Sequence, residues 1–257
     1  MSGAQLVASV RPLFRYELRS ALSVRSTHVL IGVALVTALA TAMATTSVWA
    51  GPGMRLRLPI ETVVYAPMGV LAVMLQILGA MRTGHEYRHR HGMLLHVQVP
   101  RRMYSYAVKV AFTVAFGGAL ALAVLALGIG LLWLGGEAGS TLTHQAAATW
   151  FELAGRALLA ATFYGLAGLA FATVTRSLMG GVLVPLALSS VVEPAVVLLL
   201  ADRASWLSQA LPFSAARHVL GLGAGAPAEP GVQILVVLAW IAALVGAGAL
   251  RHLRTDR

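Results

Sequence analysis

Long apolar runs separated by short polar or glycine-rich segments dominate the pattern of this 257-residue chain. A helix rises about 1.5 Å per residue, so about 20 apolar residues are needed to cross a bilayer. Six runs meet this requirement, and Gly and Pro in the joints between them favour turns. The pattern therefore predicts one all-α transmembrane domain over residues 1–257. The predicted spans cover about 28–50, 60–81, 106–134, 153–175, 178–201 and 231–250.

The composition supports a membrane protein. Hydrophobic residues make up 58% of the chain and charged residues 11%, whereas soluble domains average about 25% charged residues. Cysteine is absent, which excludes disulfides and thiolate metal sites. The net charge of +10 indicates nucleic-acid binding only if the basic residues form a solvated surface. The positions of the basic residues along the chain therefore have to be considered.

Six spans place both termini on the same side of the membrane. Most of the Lys and Arg residues fall on that side, namely before span 1, between spans 2 and 3, between spans 4 and 5, and after span 6. Basic residues collect on the cytoplasmic side of membrane proteins, so we expect cytoplasmic termini and no nucleic-acid partner. Cleavage of a signal peptide near residues 40–44 is a competing interpretation, which leaves five spans and termini on opposite sides.

Residues 6–26 predict an amphipathic helix that lies on the cytoplasmic membrane surface. Apolar residues recur at helical spacing beside arginines that are four residues apart. Such a helix places its apolar side against lipid tails and its arginines near anionic headgroups. A soluble, frayed tail is the alternative interpretation. The predicted helix includes Arg11, Phe14, Arg15, Leu18 and Arg19.

The loop between spans 2 and 3 contains HEYRH at 85–89, which matches the H-E-x-x-H pattern of zinc proteases. Two His four residues apart share a helix face and can bind zinc, and the Glu can act as base on the bound water. No motif for a third ligand is visible, however, and Arg82, Arg88 and Arg90 would repel a dication. We therefore expect no metal site, and a membrane-embedded zinc metalloprotease is kept as an alternative.

The same loop resembles that of the permease subunits of type-2 ATP-binding-cassette exporters, especially the short forms common in actinobacteria. There the loop reads roughly E-Y-R-H-G-T, then an apolar stretch, then P-R-R, and a Lys opens the next span. This chain departs from that pattern by inserting Arg90 and His91 and by carrying Met93 in place of Thr. The matching residues are Glu86, Tyr87, Arg88, His89, Gly92, Pro100, Arg101, Arg102 and Lys109.

A second block lies far from the first along the chain. Arg176, VVEP at 191–194 and LPFSAARHVLG at 211–221 are similar to the family's segments from its fourth span to the start of its sixth. With six spans and an N-terminal amphipathic helix, the likeness covers nearly the whole chain. It implies a permease of the bacterial cell membrane that exports a hydrophobic or amphipathic compound, such as a drug, an antibiotic or a lipid-like molecule.

The resemblance also implies partners. The chain has no G-x-x-x-x-G-K-[ST] phosphate loop, so ATP and Mg²⁺ would be bound by two copies of a separate cytoplasmic ATPase and this chain would not itself be an enzyme. A second copy of the chain would complete a homodimer. The matching loop would form a short coupling helix, bounded by Gly84 or Gly92 and by Pro100, that contacts the ATPase. A non-transporting scaffold or sensor, import in place of export, and pairing with a different permease all stay open.

Glu193 and Pro194 form a polar interruption inside span 5. An ionised carboxylate deep in a bilayer costs about 3 kcal/mol on the gentler scales, and Pro194 cannot donate a hydrogen bond to the carbonyl of Ser190. We expect a kinked, packed or water-filled site, with Glu193 in a buried salt bridge, as a protonated acid or in contact with substrate. The candidate partners of Glu193 are Arg156, Arg203, Arg217 and His218.

Overall fold

The computed structural model of the chain describes residues 14–45, 60–89, 102–134, 147–200, 206–223 and 229–254. Every regular element in this part of the chain is helical. Five helices are long and apolar enough to cross a membrane, or six if the bent helix pair at the start counts as one span. The all-α class is therefore confirmed, and so is the presence of several apolar helices long enough to span a bilayer.

The helices follow the predicted spans closely, with two differences. α3 does not end near residue 81 as predicted but continues to His89. Two short helices, α7 and α8, precede the last long helix and were not predicted. The helices are α1 (Phe14–Ser23), α2 (Arg25–Thr45), α3 (Ile60–His89), α4 (Arg102–Leu134), α5 (Ala147–Thr175), α6 (Leu178–Leu200), α7 (Leu207–Ala210), α8 (Pro212–Val219) and α9 (Pro230–Arg254).

α5 lies at the centre of the bundle and contacts α3, α4, α6, α8 and α9. Its closest neighbour is α3, where glycines let the two backbones touch. A Cβ added at Gly168 would collide with the backbone of Gln76, and one added at Gly79 would collide with the carbonyl of Gly165. Small residues at such crossings allow close helix packing in membranes, so these glycines determine how α3 and α5 fit together.

α6 and α9 lie at the periphery and expose large apolar side chains. Leu198 and Leu199 of α6 and Leu235 of α9 are all largely exposed. An apolar surface of this extent is unfavourable in water but is normal where lipid tails or another membrane helix cover it. The contrast with the buried α3 and α5 supports a bundle whose outer helices face the membrane.

One end of the bundle, called here the basic end, brings together α1, the end of α3, the start of α4, the α5–α6 turn and the end of α9. Gly84 of α3 packs against Leu178 of α6, and the ring of Tyr106 in α4 stacks on that of His252 in α9 at 5.9 Å. Both described ends of the chain therefore lie at this end. The Lys and Arg residues at this end whose side chains are described are Arg15, Arg19, Arg25, Arg82, Lys109, Arg176 and Arg251.

Candidate functional site

The last turns of α3 carry the HEYRH segment directly out of the bundle. The helix passes through Gly84 without a break, so the prediction that a separate coupling helix begins at Gly84 is wrong. A Cβ at Gly84 would lie 2.7 Å from the Cα of Leu178, which shows that this glycine serves close packing against α6. The side chains of residues 85–89, and all of residues 90–101 with Gly92, Pro100 and Arg101, lie outside the described residues.

Two of the residues predicted to belong to the ATPase-coupling loop lie in α4. Arg102 is its first residue, and Lys109 lies two turns further along with only 2% of its surface exposed. The Lys109 side chain is therefore buried in the bundle and not displayed on a loop. This buried position does not support a direct contact between Lys109 and a separate subunit.

A buried charged cluster, called here the Glu17 site, joins α1, α3 and α4 at the basic end. Glu17 is 8% exposed and Arg82 is 9% exposed, and the negative charge of Glu17 acts on the Arg82 guanidinium. The guanidinium also lies over the ring of Phe112, 5.4 Å from its centroid. The Phe14 ring approaches the same Phe112 ring at 5.5 Å. The Phe112 ring thus connects Phe14 of α1 with Arg82 of α3, and Glu17 is buried at the same end.

This attachment changes the interpretation of the N-terminal helix. Phe14 was predicted to face the lipid together with Leu18, but it contacts the protein, whereas Leu18 is exposed. Arg15 and Arg19 are exposed, as the amphipathic pattern predicted. Arg11 and the rest of residues 6–13 lie outside the described residues.

A second buried carboxylate, called here the Glu193 site, connects α6 to α8. Glu193 is 3% exposed, and its two oxygens accept three hydrogen bonds. The backbone N–H of Phe213 donates at 3.0 Å, the backbone N–H of Ser214 at 2.6 Å and the Ser214 hydroxyl at 2.9 Å. These are charge-assisted bonds, which are stronger than neutral ones, and they offset the cost of burying the carboxylate.

The sequence of α8 explains why its first turn needs this acceptor. Leu211 occupies the N-cap position and has no side-chain acceptor, and Pro212 is the first helical residue. The next two backbone N–H groups, of Phe213 and Ser214, have no partner within a helix. Glu193 takes the place of the missing capping side chain, and its negative charge suits the positive end of the helix dipole.

A π-helical turn at Leu188–Val192 aims Glu193 at α8. At about 100° per residue, an unbroken α-helix would point Glu193 roughly 100° away from the buried face of α6 that Gly181 and Pro185 mark. The extra residue in the π-turn rotates Glu193 back toward the buried face of α6. The N–H of Glu193 donates to the carbonyl of Leu188. Pro194 favours this turn because it cannot donate to Ser190. A kinked, packed or water-filled site was expected at Glu193 and Pro194; the structure has a π-turn directly before Glu193 and a buried, hydrogen-bonded carboxylate.

The predicted charged partners of Glu193 are not its donors. Arg156 pairs with Glu152 one turn away on α5, and Arg203 lies outside the described residues. Arg217 reaches the site only indirectly, by donating to the Ser214 hydroxyl at 3.4 Å. The prediction of a salt bridge to Glu193 from Arg156, Arg217 or His218 is therefore wrong, because backbone N–H groups satisfy the carboxylate.

The remainder of α8 packs firmly into the bundle. Phe213 meets the ring of Phe163 edge-on at 5.3 Å, and Trp240 of α9 donates to the carbonyl of Ala210 at 2.9 Å. At the other end of α8, Gly221 has a φ of +65°, and the N–H groups of Gly221 and Leu222 bond back to the carbonyls of His218 and Arg217. This is a glycine C-cap, so both ends of α8 are held.

No group of three or more His, Asp or Glu that can hold a metal occurs among the residues whose side chains are described. His85 and His89 both lie in α3, which keeps their backbones four residues apart on one helix face, but their side chains are outside that set. No protein-family model and no curated protein matches the chain, so the likeness to the exporter permeases depends on the two sequence blocks alone.

Proposed function

We propose that this chain is the permease subunit of an ATP-driven exporter, powered by a separate ATPase that contacts the basic end of the bundle. The observation that carries the proposal is the unbroken course of α3. This helix runs from Ile60 in the bundle to His89 in the segment that resembles the exporter coupling loop. A rigid helix moves as a unit, so a force applied at residues 85–89 acts directly on the core.

The packing of α3 determines where such a force would go. α3 shares its most extensive interface with α5, the central helix, through the glycines at positions 79, 165 and 168. Packed helices of this kind move by sliding or tilting as bodies. Motion of α3 would thus alter the packing at the centre of the bundle. The exposed apolar surfaces of α6 and α9 suit lipid and a second copy of the chain.

The Glu193 site supports a structural role in preference to substrate contact. All three donors around the carboxylate are protein groups, and both oxygens are engaged. The carboxylate has little exposed surface to offer a cargo molecule. We assign Glu193 to positioning α8, and the cargo to a hydrophobic or amphipathic class because the spans provide mainly apolar surface.

Purification of the chain with its candidate ATPase tests the proposal. Glu86→Ala or Arg101→Ala should weaken ATPase association or uncouple ATP hydrolysis from transport, while the protein still inserts into the membrane. Glu152→Ala is the matched control, because Glu152 is an exposed carboxylate far from the basic end. Wild-type association and transport in both loop variants would contradict the coupling role.

The same preparation separates the alternatives. A zinc metalloprotease predicts about one bound zinc per chain and loss of proteolysis in Glu86→Gln, both measurable without any ATPase. A non-transporting scaffold or sensor predicts that the ATPase is absent, or that its hydrolysis moves no compound across the membrane. Stoichiometric metal, or a chain that functions with no ATPase, would overturn the exporter assignment.

A further inference from the structure

A small cavity lies between α3 and α4, close to the basic end of the bundle. Its size suits about one water molecule, and a buried water makes about three hydrogen bonds to otherwise unsatisfied polar groups. Two side chains of the lining are polar, Arg82 of α3 and Thr113 of α4. The rest of the lining is formed by Leu75, Leu78, Gly79, Phe112, Phe116 and Gly117.

Thr113 brings to this cavity a hydroxyl that the protein does not satisfy. Only 7% of Thr113 is exposed, and its Oγ1 has no hydrogen-bond partner among the described residues. Its methyl group faces α5, because a Cβ added at Gly165 would lie 2.9 Å from Thr113 Cγ2. A buried hydroxyl without a partner is costly, and ordered water is the usual partner where protein groups supply none.

Arg82 supplies hydrogen-bond donors on the other side of the cavity. It is 9% exposed and lies near the end of the apolar span Pro67–Gly84. The contact of its guanidinium with the Phe112 ring involves the face of that ring, and a guanidinium has five N–H donors. A water oxygen accepts from such a donor while the water donates to a hydroxyl, so one water suits both side chains.

We propose that this cavity is the binding site of one ordered water, called here the bridging water. It accepts a hydrogen bond from the Arg82 guanidinium and donates one to Thr113 Oγ1. The bridging water joins α3 to α4 one helical turn beyond Gly79, where α3 touches the carbonyl of Gly165 in α5. It therefore fixes α3 relative to α4 close to the point at which α3 is fixed relative to α5. The proposal does not depend on the exporter function.

Replacement of buried threonines by valine tests the site, because valine keeps the β-branched shape and loses the hydroxyl. Thr83 is the matched control. It is 3% exposed, its Oγ1 also lacks a partner within the described part of the chain, and it does not line the cavity. Thr113→Val should lower Tm by about 3 °C, since the bridging water loses a hydrogen bond. Thr83→Val should leave Tm unchanged or raise it. A Thr113→Val variant that melts at or above the wild-type temperature would overturn the site.

Radiolytic labelling in lipid nanodiscs detects the bridging water itself, because X-rays convert a bound water into a hydroxyl radical that oxidises adjacent side chains. Phe112 is 1% exposed and lines the cavity, whereas Phe163 is 0% exposed and does not. We expect Phe112 to be oxidised several-fold faster than Phe163, and this excess to disappear in Thr113→Val. Equal rates for the two rings in the wild type, or an excess that persists in Thr113→Val, would contradict the proposal.

Thr173→Val separates loss of the bridging water from loss of stability. The buried hydroxyl of Thr173 donates to the carbonyl of Leu169 at 2.8 Å, so this variant loses a hydrogen bond within α5 and leaves the cavity unchanged. Its melting temperature should fall slightly, and the faster oxidation of Phe112 should stay at the wild-type level. If Thr173→Val removes that excess as well, the labelling depends on stability in general and not on Thr113, and the bridging water is refuted.

Discussion

Among the side chains that the structure describes, two carboxylates, Glu17 and Glu193, are buried in the apolar bundle, and their surroundings differ. Glu17 lies buried where α1 meets α3 and α4, and its negative charge acts on the Arg82 guanidinium of α3. Glu193 is matched by two backbone N–H groups and one hydroxyl of α8. The first carboxylate lies in the contact between α1 and the bundle, and the second completes the first turn of an internal helix.

This difference determines what each site tolerates. A pair of side-chain charges is symmetric in principle, because the anion and the cation can exchange places. Backbone N–H groups are always donors, so only an acceptor can occupy position 193. Exchange of charges is therefore compatible with the surroundings of Glu17 and incompatible with those of Glu193. The predictions below test this distinction.

The largest effect is expected for Glu193→Ala. The change leaves the N–H groups of Phe213 and Ser214 and the Ser214 hydroxyl without their acceptor, and each buried unpaired group costs about 1–3 kcal/mol. We expect a loss of about 3 kcal/mol or more in the free energy of unfolding, which lowers Tm by roughly 10 °C for a domain of this size. Thermal unfolding in detergent measures it, with Glu152→Ala as control. Equal melting temperatures for the two variants would refute the capping role.

A smaller loss of stability, about 2 kcal/mol, is expected for Glu17→Gln, because the buried Arg82 loses a favourable negative charge in its surroundings. Exchange of the charges, Glu17→Arg with Arg82→Glu, should recover most of it. The analogous exchange at the other site, Glu193→Arg with Arg217→Glu, should recover nothing, since arginine cannot accept from backbone N–H groups. Melting temperatures of the single and double variants decide this. Rescue at both sites, or at neither, would remove the distinction between them.

Ser214→Ala should cost about 1 kcal/mol, the value of one hydrogen bond. The backbone N–H of Ser214 still donates to Glu193, so the cap of α8 persists while the hydroxyl bond to the carboxylate and the contact from Arg217 are lost. The same thermal measurement applies. A loss as large as that in Glu193→Ala would show that the hydroxyl, and not the backbone, carries the joint.

The smallest effect concerns pH and His218, near the C-terminal end of α8. Partial burial and the neighbouring positive charge of Arg217 lower the pKa of His218 from its ordinary value. The unfolded chain therefore binds this proton at a higher pH than the folded chain does, so stability falls as the pH drops below about 6.5. His218→Gln should remove that part of the acid sensitivity in melting curves measured between neutral and mildly acidic pH. An identical pH dependence in the variant would contradict this account.

The sequence predicted the helices well because span length and hydropathy are local properties. The ends of α5 and α6 near Thr175 and Leu178 agree with the predicted boundaries. The continuation of α3 through Gly84 was missed, because a glycine inside a polar segment looks like a helix boundary. Only the position of Leu178 against it shows that the glycine serves packing.

The sequence did not predict the surroundings of the two buried carboxylates. The partner of Glu193 was sought among charged side chains, whereas backbone donors are not visible as a residue type. The sequence did hold a signal, since Leu211 and Pro212 begin a helix with no capping side chain, and such a helix needs an acceptor from elsewhere. For Glu17 the signal was its spacing from Phe14 and Ala21, which places an acid on a face that neither the leucines nor the arginines occupy.

Labelling of single cysteines from outside intact cells tests the central claim most directly, because the exporter mechanism requires the basic end to face the cytoplasm. Met103→Cys reports the basic end and Trp206→Cys the opposite end, and both side chains are exposed. With a membrane-impermeant maleimide, we expect Trp206→Cys to react in intact cells and Met103→Cys to react only after the membrane is opened. Reaction of Met103→Cys in intact cells would contradict the account, since no cytoplasmic ATPase can act on a segment outside the cell.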